Sequence, residues 1–180
     1  MIIHCTAKLA KKLPKPPTEQ EAMPAIGTLQ HWHAHFLTIQ RRQCVLFCEN
    51  ETRFIVFGCG LQKKDFAHLN ETFETLLHHA LAACCGSSSS TVKKVLKACG
   101  EVYFDNETNR SVLSTMRIAE RDLKISLEYP SSDQKALIDT PYDELHSWLN
   151  HRPLTVKGQK DCIWADNEMS NRVKQILAID

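Results

Sequence analysis

The amino-acid sequence predicts an α+β domain in which helices cover an antiparallel β-sheet of about five strands, built around a central meander. Two observations favour this class. Runs of β-branched and aromatic residues cluster in the first third of the chain, and helical periodicity dominates the remaining two thirds. With 180 residues the chain is long enough to bury one core, which we assign to a single domain at residues 1–155. Residues 156–180 are expected to form a C-terminal extension with a helix packed on that domain.

The early segments alternate between strand signals and turn signals. MIIHC predicts a short strand, and TAKLAKKL predicts one or two turns of helix. The next segment, PKPPTEQEAMPAIG, is expected to be a loop because its four prolines lack backbone donors and fix φ. Three runs then predict strands: HAHFLTIQ, RQCVLFCE and TRFIVFGC. Both alternating faces of the second run are apolar, which predicts a central strand covered on both sides.

The later segments have helical spacing. KKDFAHLNETFETLLHHALAACCG carries the longest apolar stripe in the chain, so we expect Leu76 and Leu81 to lie in the core. Gly86 is expected to end this helix, and the serines after it to cap a second one in TVKKVLKACG. EVYF predicts a further strand. NRSVLSTMRIAERDLKISLEYP, TPYDELHSWLN and EMSNRVKQILAI each predict a helix, with Pro130 closing the first and Thr140 capping the second.

Charge and cysteine content narrow the functional classes. Twenty-two Lys and Arg against 21 Asp and Glu leave a formal charge of +1, so no global field attracts nucleic acid or membrane. The N-terminal segment does not have the features of a signal peptide, and no apolar run is long enough to span a bilayer. The eight cysteines show no paired metal spacing and read as reduced, buried thiols. We therefore expect a cytoplasmic protein without a membrane partner.

Three histidines spaced two apart, His31, His33 and His35, would share one face of a strand. Such a pattern brings imidazoles within about 6 to 7 Å, which suits zinc if a third ligand comes from elsewhere. No second ligand cluster has metal spacing, and Cys44 and Cys48 would lie about 13 Å apart. We therefore expect no metal site. In this interpretation His31 lies in the preceding loop, His33 is partly buried and donates to a carbonyl, and His35 faces solvent.

A second candidate site lies where the text NRS, at 109–111, begins a predicted helix. A helix N-terminus that carries arginine and serine is suited to a phosphate or a carboxylate. Arg41 and Arg42 are expected on opposite faces of a strand, so only one of them could join such a site. The alternative is that Asn109 only caps the helix and Arg110 pairs with a carboxylate. The candidate anion- or partner-binding residues are Arg42, Arg53, Asn109, Arg110, Ser111 and His33.

Five strings together resemble a bacterial family, domain of unknown function family 6933: MIIHCTAKL, HWHAHFLTIQRRQCVLF, LQKKDF, NRSVLSTM and WLNHRPL. The resemblance covers about residues 1–155. It implies no reaction, cofactor or ligand. The family pattern keeps W-H-A but has no histidine at the positions of His31 and His35, so a metal trio would be peculiar to this chain. The association of such proteins with mobile or variable bacterial genome regions suggests a regulatory, antitoxin-like or defence role.

The sequence contains no nucleophile elbow, glycine-rich phosphate loop or paired catalytic acids in a motif. We therefore expect a non-enzymatic cytosolic binding or regulatory module that uses no cofactor and binds a protein or a nucleic acid. The competing hypothesis is an enzyme, either a metal-dependent hydrolase or a nucleic-acid-processing protein, that uses His33 and the Arg42/Arg110 region. A concave pocket that gathers these residues would favour the enzyme.

Overall fold

The computed structural model describes residues 1–15, 29–128, 140–156, 158 and 160–179. Most of the predicted proline-rich loop lies outside these residues, as does the expected helix end at Pro130. None of the helices in the described ranges has the length and the apolar content needed to cross a membrane.

Five strands form one mixed sheet, in the order β4-β3-β2-β1-β5. The strands are β1 (Ile2–Cys5), β2 (His31–Ile39), β3 (Arg42–Glu49), β4 (Ile55–Cys59) and β5 (Tyr103–Asp105). The pairs β2/β3 and β3/β4 are antiparallel, whereas β1 runs parallel to both β2 and β5. The expected antiparallel sheet with a central meander is therefore corrected to a mixed sheet. The hairpin signals in the sequence concern neighbouring strands only, and the parallel pairs join segments far apart in the chain.

Seven helices and a small second sheet complete the described structure. The helices are α1 (Ala7–Ala10), α2 (Lys63–Ala67), α3 (Leu69–Cys85), α4 (Ser89–Cys99), α5 (Arg110–Glu128), α6 (Tyr142–Asn150) and α7 (Ala165–Ile179). The second sheet pairs β6 (Pro153–Leu154) with β7 (Ile163–Trp164). The segment that the sequence predicts as the first long helix forms two helices, α2 and α3, which are divided at His68, where ψ is 51°. Gly86 ends α3 with φ of 59°, and the Ser88 hydroxyl accepts the Thr91 N–H to cap α4, which confirms both predicted helix boundaries.

The sheet is covered on both faces, and each face has its own core. One core joins Trp32 and Phe47 to α3, α4 and α7. The other joins Leu46 and Phe57 to α5 and α6. Six of the eight residues of β3 are buried, as the two apolar faces of its sequence predict, although β2 is the middle strand of the sheet. Leu81 is fully buried and Leu76 nearly so, which confirms the predicted core stripe of α3. Residues of α7 belong to the first core, and the domain boundary at 155 remains a prediction.

The free edge of β4 is closed by side chains of α6 instead of by another strand. Tyr142, His146 and Asn150 lie four residues apart and therefore share one face of the helix. Asn150 accepts the N–H of Ile55 at 2.7 Å and donates to its carbonyl at 2.8 Å. His146 Nε2 accepts the Phe57 N–H at 3.0 Å, and the Tyr142 hydroxyl contacts the N–H and the carbonyl of Cys59 at 3.3 and 3.2 Å. The sheet edge is thus hydrogen-bonded without a strand partner.

The two hairpins place their arginines at opposite ends of the sheet. Gln40 and Arg41 form the β2–β3 turn, both with positive φ, so Arg41 does not lie in a strand as expected. Arg42 begins β3, and Arg53 lies in the β3–β4 turn with φ of 60°. The extended chain from Arg42 to Cys48 spans about 20 Å. Arg42 is therefore remote from Arg53.

Candidate functional site

Histidines from two strands and an aspartate from a third meet on the α5 side of the sheet. The parallel register places His4 of β1 opposite His33 of β2 and opposite Asp105 of β5. His31 lies at the start of β2, two residues before His33, and so on the same face. His31 is therefore part of the strand and not of the loop before it, as the sequence had suggested.

Asp105, His4 and His31 are joined by a chain of hydrogen bonds. His4 Nδ1 lies 2.6 Å from Asp105 Oδ1, and His4 Nε2 lies 3.0 Å from His31 Nδ1. The two imidazole planes are parallel to within 1°. A carboxylate only accepts, so His4 Nδ1 carries the proton of the first bond. With both rings neutral, His31 Nδ1 then donates to His4 Nε2, and His31 Nε2 keeps its lone pair.

His33 connects the sheet to the start of α5. Its side chain is buried, and Nε2 accepts the backbone N–H of Asn109 at 2.9 Å, so it does not donate to a carbonyl as expected. Burial first, and then the nearby His4 and Arg53, lower the pKa of His33 to about 3. His33 is therefore neutral with its proton on Nδ1, an atom that has no hydrogen-bond partner in the described structure.

His35 lies further along β2, apart from this group, and is not simply solvent-facing. Its Nδ1 lies 3.0 Å from the Thr6 hydroxyl, and its Nε2 lies 3.6 Å from the Glu120 carboxylate. Within the described ranges, no three His, Cys, Asp or Glu side chains come together in an arrangement that could hold a metal ion.

The histidines line a cleft of about 430 Å³, which we call the histidine cleft. Its wall combines the strand histidines with the turn after β3 and with the segment that leads into α5. The lining residues are His4, His31, His33, Asn50, Glu107, Thr108 and Asn109.

A second cleft has a volume of about 620 Å³, and we call it the arginine cleft. Asn109 lines the histidine cleft, and Arg110 and Ser111 line the arginine cleft. The two clefts therefore flank the first turn of α5. The arginine cleft is lined by Arg110, Ser111, Ser114, Thr115, Ile118, Asp122, Arg152, Pro153, Leu154 and Thr155.

Arg53 lies beneath this turn as a buried cation that has no counter-ion among the described residues. The residue is 6% exposed, and its Nη2 donates to the Ser111 hydroxyl at 3.2 Å. Its Nε and Nη1 atoms are buried and have no hydrogen-bond partner in the described part of the chain, where it also forms no ion pair. A cation at a helix N-terminus is unfavourable because the helix dipole is positive there. Arg53 therefore adds an uncompensated positive charge beside the arginine cleft.

Arg152 adds a second, partly compensated charge. Its Nη1 donates to Asp122 at 2.7 Å, but its Nε and Nη2 are buried and have no hydrogen-bond partner among the described residues. Burial lowers the pKa of Arg152, and Asp122 opposes this shift. Burial raises the pKa of the Cys48 thiol, Arg53 and Arg152 lower it, and Glu49 raises it. Arg110 and Arg152 thus line the cleft together with one carboxylate, that of Asp122, and Arg53 lies behind them at Ser111.

The structure brings together five of the six residues that the sequence singled out. His33 contacts Asn109, and Arg53 contacts Ser111. The Asn109 side chain accepts the Ser111 N–H at 2.9 Å, so it caps α5 as the alternative interpretation predicted. Arg110 has no carboxylate partner in the described structure, and it lines the arginine cleft.

Arg42 is the exception, because it lies at the other end of β3. Sequence reasoning missed three residues that complete the site: His4, Asp105 and Arg152. Nothing local marks His4 or Asp105, since only the parallel strand register brings them together. Arg152 stands in the string WLNHRPL and could have been considered as a further arginine.

Comparison with protein families gives one match, to the model described as Domain of unknown function (DUF6933), over residues 2–168. No curated protein and no solved structure matches the chain.

Proposed function

The chain belongs to the DUF6933 family, whose function is unknown, and we propose from the geometry of the site that it binds a phosphate group of its ligand in the arginine cleft. The observation that carries this proposal is Arg53, a buried guanidinium with no counter-ion in the described structure. Burying an unpaired charge costs several kcal/mol. A ligand that brings an anion to the cleft would offset this cost.

The shape and the donors of the cleft favour phosphate over a carboxylate. The arginines around the first turn of α5 suit a phosphate group, which carries between one and two negative charges near neutral pH. Arginine and hydroxyl donors, here from Arg110, Arg152, Ser111 and Thr155, are more numerous than two carboxylate oxygens require. The positive end of α5 adds to the same field.

In this proposal the protein is a cytosolic binding module of bacterial origin. All eight cysteines are free thiols, which suits a reducing compartment. The alternative enzyme that combines Arg42 with Arg110 gains no support, because Arg42 lies at the far end of β3. A metal-dependent hydrolase built on His33 gains none either, because His33 Nε2 already accepts a backbone N–H.

Titration with inorganic phosphate tests the proposal. We expect phosphate to raise the free energy of unfolding of the wild-type protein, as a ligand that binds only the folded state must. Arg53→Gln should weaken phosphate binding by about 10- to 100-fold, because the cleft loses the positive charge behind Ser111, and a charge a few ångströms away contributes about 1.4 to 2.8 kcal/mol. Without phosphate, Arg53→Gln should unfold no more easily than the wild type, since it removes an unpaired buried charge.

Arg41→Gln is the matched control, because Arg41 also lies in a hairpin turn with positive φ but is exposed and remote from the cleft. Its phosphate affinity should equal that of the wild type. If the Arg53 and Arg41 variants bind phosphate equally well, or if the wild type binds none, the proposal is wrong.

A further inference from the structure

We infer that the histidine cleft is a catalytic site in which Asp105 and His4 form a hydrogen-bonded relay that orients and stabilises His31, and that His31 Nε2 is the general base for hydrolysis of a phosphate ester. This inference rests on the proposed function, since the arginine cleft would hold the phosphate group of the same ester. It replaces the sequence-based expectation of a module without activity.

The hydrogen-bond chain has the features that a general base requires. Asp105 fixes the proton of His4 on Nδ1, and His4 in turn orients His31 through Nε2. His4 and Asp105 are largely buried, whereas His31 is partly exposed at the cleft. The free Nε2 lone pair of His31 is thus the end of the chain that a substrate or a water molecule can reach. A carboxylate behind an imidazole stabilises the positive charge that forms when the base takes a proton.

The position of the relay beside the arginine cleft selects the substrate class. The linings of the two clefts are consecutive in the chain at residues 109–111, and we place a phosphate near Ser111 with its ester substituent toward the histidines. Arginines stabilise the charge that develops on phosphate oxygens during the transfer. His33 and His35 are unsuited to the role of base, because His33 Nε2 accepts the Asn109 N–H and His35 contacts Thr6 and Glu120 outside the cleft.

The ester and one water molecule are the only reactants. Water gives a proton to His31 Nε2 while its oxygen forms a bond to phosphorus. The bond between phosphorus and the ester oxygen breaks, and its electron pair leaves on that oxygen. The imidazolium then returns the proton to the departing alkoxide, which restores the neutral relay. The products are a free alcohol and a phosphate with one ester bond fewer.

The test is hydrolysis of bis(p-nitrophenyl) phosphate and of p-nitrophenyl phosphate, measured by release of p-nitrophenolate. We expect the wild-type protein to hydrolyse at least one of them. His31→Gln should lower kcat by about 100-fold or more, the range for general-base catalysis. Asp105→Asn leaves the base in place and should lower kcat by roughly tenfold or more. KM should change little in either variant, because the phosphate contacts lie in the other cleft. His35→Gln is the control on the same strand face and should keep the wild-type kcat.

The pH profile gives a second readout. The rate should rise with pH through the pKa of His31 and then level off, since only the neutral ring accepts a proton. The pKa of His31 is lowered overall, by burial first and then by His4 and the N-terminal amine. Asp105 and Glu51 act in the opposite direction and raise it. His33 and Glu107 also face the cleft. In Asp105→Asn the inflection should move to lower pH, because a stabilising negative charge is lost, and a merely structural role would not move it.

Phosphate affinity, measured in the same preparations, separates this inference from the proposed function. A wild-type protein that binds phosphate but hydrolyses neither ester overturns the relay and leaves phosphate binding intact. Equal kcat in the wild type and in His31→Gln also overturns it. If His31→Gln does not fold, diethyl pyrocarbonate modification of the wild type replaces it, with His31 mapped by mass spectrometry. Activity that persists after His31 is fully modified would contradict the inference.

Discussion

At the scale of single residues, two buried histidines act as hydrogen-bond acceptors for the backbone. His33 Nε2 accepts the N–H of Asn109, and His146 Nε2 accepts the N–H of Phe57. Burial lowers the pKa of His33 to about 3 and that of His146 to about 4. A protonated ring could not accept these hydrogen bonds, so both side chains must be neutral in the folded protein.

This requirement predicts that stability falls as the pH falls. Below the ordinary histidine pKa of 6.5, the unfolded chain binds protons that the folded chain does not, so the free energy of unfolding decreases with decreasing pH. The loss continues down to the folded pKa values and amounts to about 1.4 kcal/mol per pH unit for each histidine. Urea unfolding between about pH 6 and pH 5 measures this slope. His33→Gln and His146→Gln should each lower this slope by up to about 1.4 kcal/mol per pH unit. Slopes equal to that of the wild type would contradict the prediction.

At the scale of elements, α6 takes the place of a neighbouring strand at the edge of β4. The buried Asn150 side chain resembles a peptide group, because it both donates to and accepts from Ile55. An unpaired strand edge is also a site for association with other chains. The three side chains of α6 therefore stabilise β4 and protect its edge.

The Asn150→Leu variant tests this arrangement. It should lower the free energy of unfolding by about 2 to 5 kcal/mol, because it leaves the N–H and the carbonyl of Ile55 buried without partners. Tyr142→Phe is the milder comparison, since the Tyr142 hydroxyl is only partly buried and its contacts are long, and it should cost about 0.5 to 1.5 kcal/mol. Urea denaturation measures both. An Asn150→Leu cost no larger than that of Tyr142→Phe would show that the edge contacts are not what holds β4.

At the scale of the whole molecule, the sheet separates two cores, and α3 is the main helix of the larger one. Leu81→Ala should lower the free energy of unfolding by about 2 to 5 kcal/mol, and Leu76→Ala should have a similar effect. Ile125 of α5 is 50% exposed, so Ile125→Ala is the matched control. This variant should change the free energy of unfolding by less than about 0.5 kcal/mol. Chemical denaturation of the three variants compares them. A loss below about 0.5 kcal/mol for Leu81→Ala would mean that the stripe of α3 does not stabilise the core.

The sequence by itself determined the local features of this protein. Gly86 and Ser88 mark helix ends through the conformation and hydrogen bonding of a few adjacent residues. The apolar stripe of α3 and the two apolar faces of β3 follow from periodicity alone. Asn109, Arg110 and Ser111 were recognised as a candidate site because a helix start has a local signature. Such features depend on interactions between neighbours, which a short stretch of sequence contains in full.

Only the tertiary structure decided which distant residues meet. Parallel pairing of β1 with β2 and β5 brings Asp105 within 2.6 Å of His4, 101 residues earlier in the chain, and turns isolated histidines into a hydrogen-bonded chain. The same packing separates Arg42 from Arg53, which the sequence had grouped. The register of non-local strands is selected by the total burial of both cores, and no local turn encodes it. The relay and the burial of Arg53 beneath Ser111 therefore exist only when the whole sheet is assembled.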